Sequence, residues 1–252
     1  MRGVTCPLMS SNAPDTQAER EAALQAKLVR HERWRRKLAS PRDRLGAWLN
    51  MIFVDHAFFR AVYLNRHRVA EGVWRAAQPW PHQIRKLARE GVRTIINLRG
   101  GQTYGSLPLE IETCEDHGVN FENFVLRSRA LPTIEEIRAL QDLFKTIEYP
   151  VLFHCKSGAD RAGMMSVLYL ALHEGRPVSE ARRQLSLKYG HFSRGPTGIL
   201  DALFDAYEAD QPDAIMPLVE WFETRYDPEA ITIAFKAGKM GSFLTEIVLR
   251  RE

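Results

Sequence analysis

The chain has 252 residues, of which 45% are hydrophobic and 26% charged, and its formal net charge is +4. This is the make-up of a soluble globular protein, either one domain with appendages or two small ones. The mild basicity is no argument for a nucleic-acid partner. Three cysteines, Cys6, Cys114 and Cys155, make no disulfide framework, and the histidines are scattered with no Cys-x2-Cys pair to suggest a metal site. Neither a metal nor another cofactor is expected.

Residues 1–15 are polar and irregular and read as a disordered N-terminus, without the apolar stretch of a secretory signal. Residues 16–38 follow as a charged helix rich in Ala, Glu, Lys and Arg. Residues 45–54 are apolar, and the run continues through Asp55 and His56 to Leu64. The part before Asp55 is well short of the ~20 residues a spanning helix needs. Asp55, His56 and Arg60 also argue against spanning. Basic residues ahead of a Trp- and Phe-rich helix fit either an interfacial membrane segment or a helix packed on the domain. Residues 16–66 are therefore read as a basic and apolar helical extension.

Across residues 67–210 strands and helices alternate, as in an α/β domain. Pro81 opens a helix that stops at Gly91, and residues 92–98 form a strand. A helix over 108–117 and a weaker strand over 120–126 come next. Thr133, with Glu136 three residues on, makes a capping box for a helix reaching about residue 148. Val151-Leu152-Phe153 reads as a buried strand and residues 164–172 as an apolar helix. Ser179 opens a helix to near Gly190, a basic loop spans 190–198, and residues 199–209 are amphipathic. The tail, 211–252, carries apolar clusters at Trp221-Phe222 and over 243–249. It reads as a helical extension that pairs with the N-terminal helices.

Between the strand at 151–153 and the helix at 164–172, residues 154–163 read His-Cys-Lys-Ser-Gly-Ala-Asp-Arg-Ala-Gly. Strand, tight loop and helix make an anion cradle, because backbone N–H groups and the positive end of the helix dipole converge on one point. Such a cradle favours anions, a thiolate as well as a phosphate. Arg161 adds a planar fork of donors that fits two phosphate oxygens.

His154, Cys155, Gly158 and Arg161 match the His-Cys-x5-Arg signature, and the chain here resembles the cysteine-dependent protein tyrosine and dual-specificity phosphatases. Upstream, Val73-Trp74-Arg75-Ala76-Ala77-Gln78-Pro79 resembles the opening segment of bacterial dual-specificity-like phosphatases. Gly91-Val92-Arg93-Thr94-Ile95-Ile96-Asn97-Leu98-Arg99 resembles the second strand of that fold. The resemblance covers residues 70–210 and implies a central, mostly parallel sheet flanked by helices, here with extra N- and C-terminal helices. It implies that Cys155 attacks phosphorus and that Arg161 holds the phosphate and stabilises the transition state. His154, Lys156, Ser157, Gly158, Ala159 and Ala162 complete the loop as substrate-binding candidates. His154 either tunes the sulfur or simply ends a strand. His191 and Arg194 either contact substrate or order the attacking water, or belong to an ordinary turn.

Two departures from the family stand out. Its catalytic Asp lies on a loop well before the cysteine, and here residues 124–132 hold no carboxylate. General acid help is typically worth about 10²–10⁴-fold. Asp160, directly before Arg161, offers a replacement, as in the myotubularin and Sac-type phosphoinositide phosphatases that the loop resembles. Asp160 is either the acid or a pin for the loop, and Glu122, Glu135 and Asp142 stand as remote alternatives. The second departure is Ala162, where the family carries a hydroxyl that helps phosphocysteine break down. Lys156, Arg127 and Arg129 either favour a substrate with several phosphates or are solvated loop residues.

The expectation is thus a cytoplasmic, cofactor-free phosphatase that works through phosphocysteine. Its substrate is a phosphorylated protein, or a phospholipid or inositol phosphate met at the inner face of an anionic membrane. A phosphate-binding pseudophosphatase scaffold is the alternative, opposed by intact Cys155 and Arg161.

Overall fold

A computed structural model describes residue 34 and residues 36–100, 104–211 and 215–249. The irregular N-terminus at 1–15 and nearly all of the charged helix at 16–38 lie outside the described residues, and residues 36–38 are irregular.

The strands are β1 (His67–Ala70), β2 (Val73–Ala77), β3 (Thr94–Asn97), β4 (Asn120–Asn123) and β5 (Val151–Cys155). They form one sheet in the order β1-β2-β5-β3-β4. β1 runs antiparallel to β2, and every other pair is parallel. β5 sits in the middle and is buried along its whole length. A strand covered on both faces has no need of alternation, which is why Val151-Leu152-Phe153 is an unbroken apolar run. Ala77 lies opposite Cys155 and Asn97 opposite His154, so the carboxyl ends of β2, β3 and β5 finish at one edge. That edge is where open α/β sheets bind ligands.

The helices are α1 (Pro41–Leu49), running on into a π turn (Asn50–Val54), α2 (Phe58–Val62), α3 (Pro81–Arg89), α4 (Ser106–Asp116) and α5 (Ile134–Thr146). Then come α6 (Asp160–Leu168), extended by a π turn (Tyr169–His173), α7 (Val178–Ala181), α8 (Ile199–Ala209), α9 (Leu218–Thr224) and α10 (Pro228–Leu249). Pleating sends alternate strand residues to opposite faces. Ile95 and Leu152 pack with Ile84, Leu87 and Cys114 of α3 and α4. Ile96 and Phe153 pack on the other face with Phe144, Met165 and Leu203. The capping box forms as the sequence predicts: Glu136 N donates to Thr133 Oγ1 at 3.2 Å, and Thr133 N donates to Glu136 at 2.9 Å.

Two expectations need correction. The single helix expected from Ser179 to Gly190 is broken into α7 and two 3₁₀ turns, Arg182–Gln184 and Leu187–Tyr189. The physical reason is Arg75, which draws the Gln184 carbonyl and side chain to itself and stacks on Tyr189. The tail does not pair with the N-terminal helices among the described residues. Trp221, Phe222 and Tyr226 join Leu200 and Leu203 in the main core, while Trp34, Ala47, Met51, Ala57 and Leu109 form a separate cluster. Hydrogen bonds from Trp221 Nε1 to Asp210 (2.9 Å) and from Tyr226 Oη to Pro132 O (2.8 Å) fix the tail there. The side chains of the second tail cluster, 243–249, lie outside the described residues.

The segment 45–64 has two faces. Ala47, Met51, Asp55, Ala57 and Arg60 are buried against the domain, whereas Leu45, Leu49, Phe53, Val54, Phe58, Phe59, Val62 and Tyr63 are exposed. Among the described residues no helix is long and apolar enough to cross a membrane.

Candidate active site

Cys155 is the last residue of β5 and only 2% exposed. The chain must then turn sharply to enter α6 at Asp160. Gly158 makes the turn at φ +76°, and a Cβ there would come within 2.6 Å of the Ala76 and Ala77 backbone. Glycine alone meets both demands.

The loop is held from behind. Arg75, fully buried on β2, donates from Nη2 to Gly158 O (2.8 Å) and Ala159 O (2.7 Å). Asn65 donates from Nδ2 to Ser157 O (2.9 Å) and Tyr189 O (3.0 Å). A trans peptide sets its N–H opposite its carbonyl. Carbonyls tied outward therefore turn the Gly158, Ala159 and Asp160 amides toward the other side of the loop, together with the positive end of α6. Burial pushes the Arg75 guanidinium down to about 10, against the pull of nearby Cys155, Tyr189 and Asp160.

On the opposite flank a buried polar chain runs to the cysteine's neighbour. Asp55 is fully buried and accepts from Arg99 (2.7 and 2.8 Å) and from Arg60 (2.5 Å), with Lys156 Nζ at 3.3 Å. Burial alone would raise the Asp55 carboxyl, but Arg99 and Arg60 override it and hold it down at about 2. Arg99 also donates to Gln78, which donates to Glu110 at 2.6 Å. Glu110 Oε1 stands 2.7 Å from His154 Nε2. That approach is off the hydrogen-bonding axis, and both atoms, with His154 Nδ1, have no hydrogen-bond partner among the described residues.

A third cluster lies at the start of α6. His191, 2% exposed, bridges Asp160 Oδ1 through Nδ1 and Asp201 Oδ2 through Nε2, each at 2.7 Å. Burial works against a charged ring, yet the hydrogen bonds it donates to both carboxylates prevail and raise His191 to about 9. The ring therefore donates from both nitrogens at neutral pH.

Among the described residues Arg161 makes no hydrogen bond or ion pair, so its fork is unengaged beside the loop. Ala162 is fully buried in the main core. Ser157 Oγ accepts weakly from Ala159 N at 3.4 Å. The more distant candidates are not brought to the loop by any hydrogen bond or ion pair: Arg127 pairs with Glu136 (2.5 Å) at the head of α5, and Arg129 and Arg194 are exposed. Of the remote carboxylates, Glu122 is exposed on β4, Asp142 pairs with Lys145 at 3.4 Å, and Glu135 is held below the usual range by hydrogen bonds at the start of α5. No group of three or more His, Cys, Asp and Glu among the described residues could hold a metal ion.

Sequence reasoning overlooks the supporting side chains: Asn65, Arg75, Asp55, Arg99, Glu110 and Asp201. The available signal was charge where apolar patterning calls for none, as with Arg75 inside a strand and Asp55 and Arg60 inside an apolar helical run.

The chain is similar to several solved phosphatase structures. One is TpbA of P. aeruginosa, 17% identical with a TM-score of 0.45, covering 68% of this chain and 90% of that one. Another is Tk-PTP in its active form, 20% identical with a TM-score of 0.43, covering 49% and 84%. A third is human DUSP28, 19% identical with a TM-score of 0.39, covering 49% and 80%. None of the curated proteins compared with the chain matches it. The family model described as the DSP-PTPase phosphatase fused to NAD+ kinase matches residues 56–195, which run from beside Asp55 to beyond His191. That match takes in β1 to β5, the loop from Cys155 to Arg161 and His191, more than half of the chain, and the chain belongs to this dual-specificity phosphatase-like family.

Proposed function

We propose that the chain hydrolyses phosphomonoesters through a phosphocysteine intermediate, with Cys155 as nucleophile. The observation that carries this is the loop: a cysteine ends the central strand, three carbonyls are tied outward by Arg75 and Asn65, and Arg161 has no competing partner among the described residues. In the first step Cys155 Sγ bonds to phosphorus and the bond to the leaving oxygen breaks. Loop amides and Arg161 hold the equatorial oxygens, as preorganised donors do for a developing anion. The His191 Nδ1 proton moves to Asp160 Oδ1, and Asp160, now a carboxylic acid, delivers a proton to the leaving oxygen, which leaves a neutral His191. In the second step water attacks phosphorus, the S–P bond breaks, and the proton of water returns to the Asp160–His191 pair.

The test is phosphate release from aryl and alkyl phosphates, with Cys155→Ser as the blank. The variant is expected to lose turnover and still bind an oxyanion such as vanadate, because the cradle is backbone. Undiminished release by Cys155→Ser rejects the reading.

A further inference from the structure

The phosphate loop is flanked by the segment whose outer face is apolar. Most of the large apolar side chains exposed among the described residues lie between 45 and 63. Phe53 is 68% exposed, Phe59 70% and Val62 92%. Ordinary surfaces scatter such residues singly, and a contiguous patch marks a binding face. The sole acid between 45 and 63 is Asp55, and it is fully buried beneath Arg60 and Arg99. The patch thus shows no negative charge. Arg42 precedes Leu45 and Leu49 at helical spacing in α1, and Lys188 stands across from Phe59.

The same segment is continuous with the site. Phe59 and Tyr63 share a cavity of about 500 Å³ with Ser157 and Ala159 of the phosphate loop and with Leu187, itself 70% exposed. On its inner side the segment reaches Lys156 through Asp55. Whatever covers the apolar face is therefore held beside the loop, on the side where Asn65 ties it.

We propose that this face docks on an anionic lipid bilayer, so that the enzyme meets phosphomonoesters displayed at a membrane surface. Exposed aromatic and aliphatic side chains enter the boundary of headgroups and acyl chains, and the basic rim faces the anionic headgroups. An acidic protein partner fits less well, since the centre of the face offers apolar side chains and no exposed charge. This assignment rests on the phosphatase reading for its substrate but not for its docking.

The experiment is cosedimentation of the full chain with vesicles of phosphatidylglycerol and phosphatidylcholine in equal parts, and with phosphatidylcholine vesicles. The wild type and a Phe53→Glu/Val62→Glu variant are compared, both also assayed on a soluble aryl phosphate. The wild type is expected to sediment with the anionic vesicles far more than with the neutral ones, and less as salt is raised. The double variant is expected to lose at least about tenfold in partitioning while keeping its rate on the soluble substrate, which also shows that it is folded. Cys155→Ser is expected to sediment like the wild type. The proposal is overturned if the wild type stays in the supernatant, or if the double variant sediments equally. It is also overturned if light scattering shows a wild-type dimer that the variant converts to monomer, for then the face joins two copies. Failure of the soluble assay with intact sedimentation would instead count against the phosphatase reading alone.

Discussion

His191 carries the most informative titration in the molecule. Its two carboxylate partners raise it from an ordinary value of 6.5 to about 9. A raised pKa means the folded state holds the proton more tightly than the unfolded chain. The stability it confers is complete below about pH 6.5 and is lost as pH rises through about 9. Thermal melts of the wild type are therefore expected to fall between pH 7 and 10, with His191→Gln less stable at neutral pH and flatter across that range. The same proton serves the leaving group in the proposed route, so rates on alkyl phosphates should fall on an alkaline limb near pH 9 that His191→Gln removes. Asp160→Asn is expected to slow alkyl substrates by about 10²–10⁴-fold and to spare an aryl phosphate with an acidic phenol, which needs little proton help. Equal losses on both would make Asp160 a pin for the loop.

The loop and the segment 45–64 are the elements on which the site depends. Replacing Gly158 by Ala forces a Cβ to within 2.6 Å of the β2 backbone at a φ that L-residues avoid. The strain falls on the loop itself. Phosphate and vanadate affinity are expected to drop more than tenfold, with global stability lowered by about 1–3 kcal/mol. Asp55 does the equivalent work for the N-terminal segment. Asp55→Asn leaves Arg60 and Arg99 buried without their carboxylate, a change that typically costs about 3–5 kcal/mol. Hydrogen exchange is expected to quicken first over residues 50–62 and around Arg99, ahead of β5. Uniform loss of protection would mean the segment is not separately held by this pair.

Across the whole molecule, what the sequence reveals is what local rules decide. The loop is legible because cysteine, glycine and arginine act within seven consecutive positions between a strand and a helix, and the capping box at Thr133 because it spans a single turn. Residues that act across long separations are not legible. Arg75 reaches Gly158 and Gln184, and Asn65 reaches Ser157 and Tyr189, by folding alone. That same reach breaks the helix expected over 179–190, since a carbonyl given to Arg75 is withdrawn from the helical ladder. Of the two readings left open for residues 45–64, packing on the domain is seen on the inner side, while the outer side is exposed and apolar. Composition records how much apolar surface there is, and only the fold assigns it a direction. Ala162 unites fold and chemistry, because a buried methyl stands where the family's hydroxyl would help the intermediate break down. Slow breakdown should let the covalent species accumulate. Mass spectrometry of the full chain, quenched in acid during the first turnovers on an activated aryl phosphate, is expected to find one phosphate on Cys155, with a matching burst of phenol. Phosphate on another residue, or steady turnover that survives in Cys155→Ser with no phosphorylated chain at any time, would contradict a phosphocysteine route.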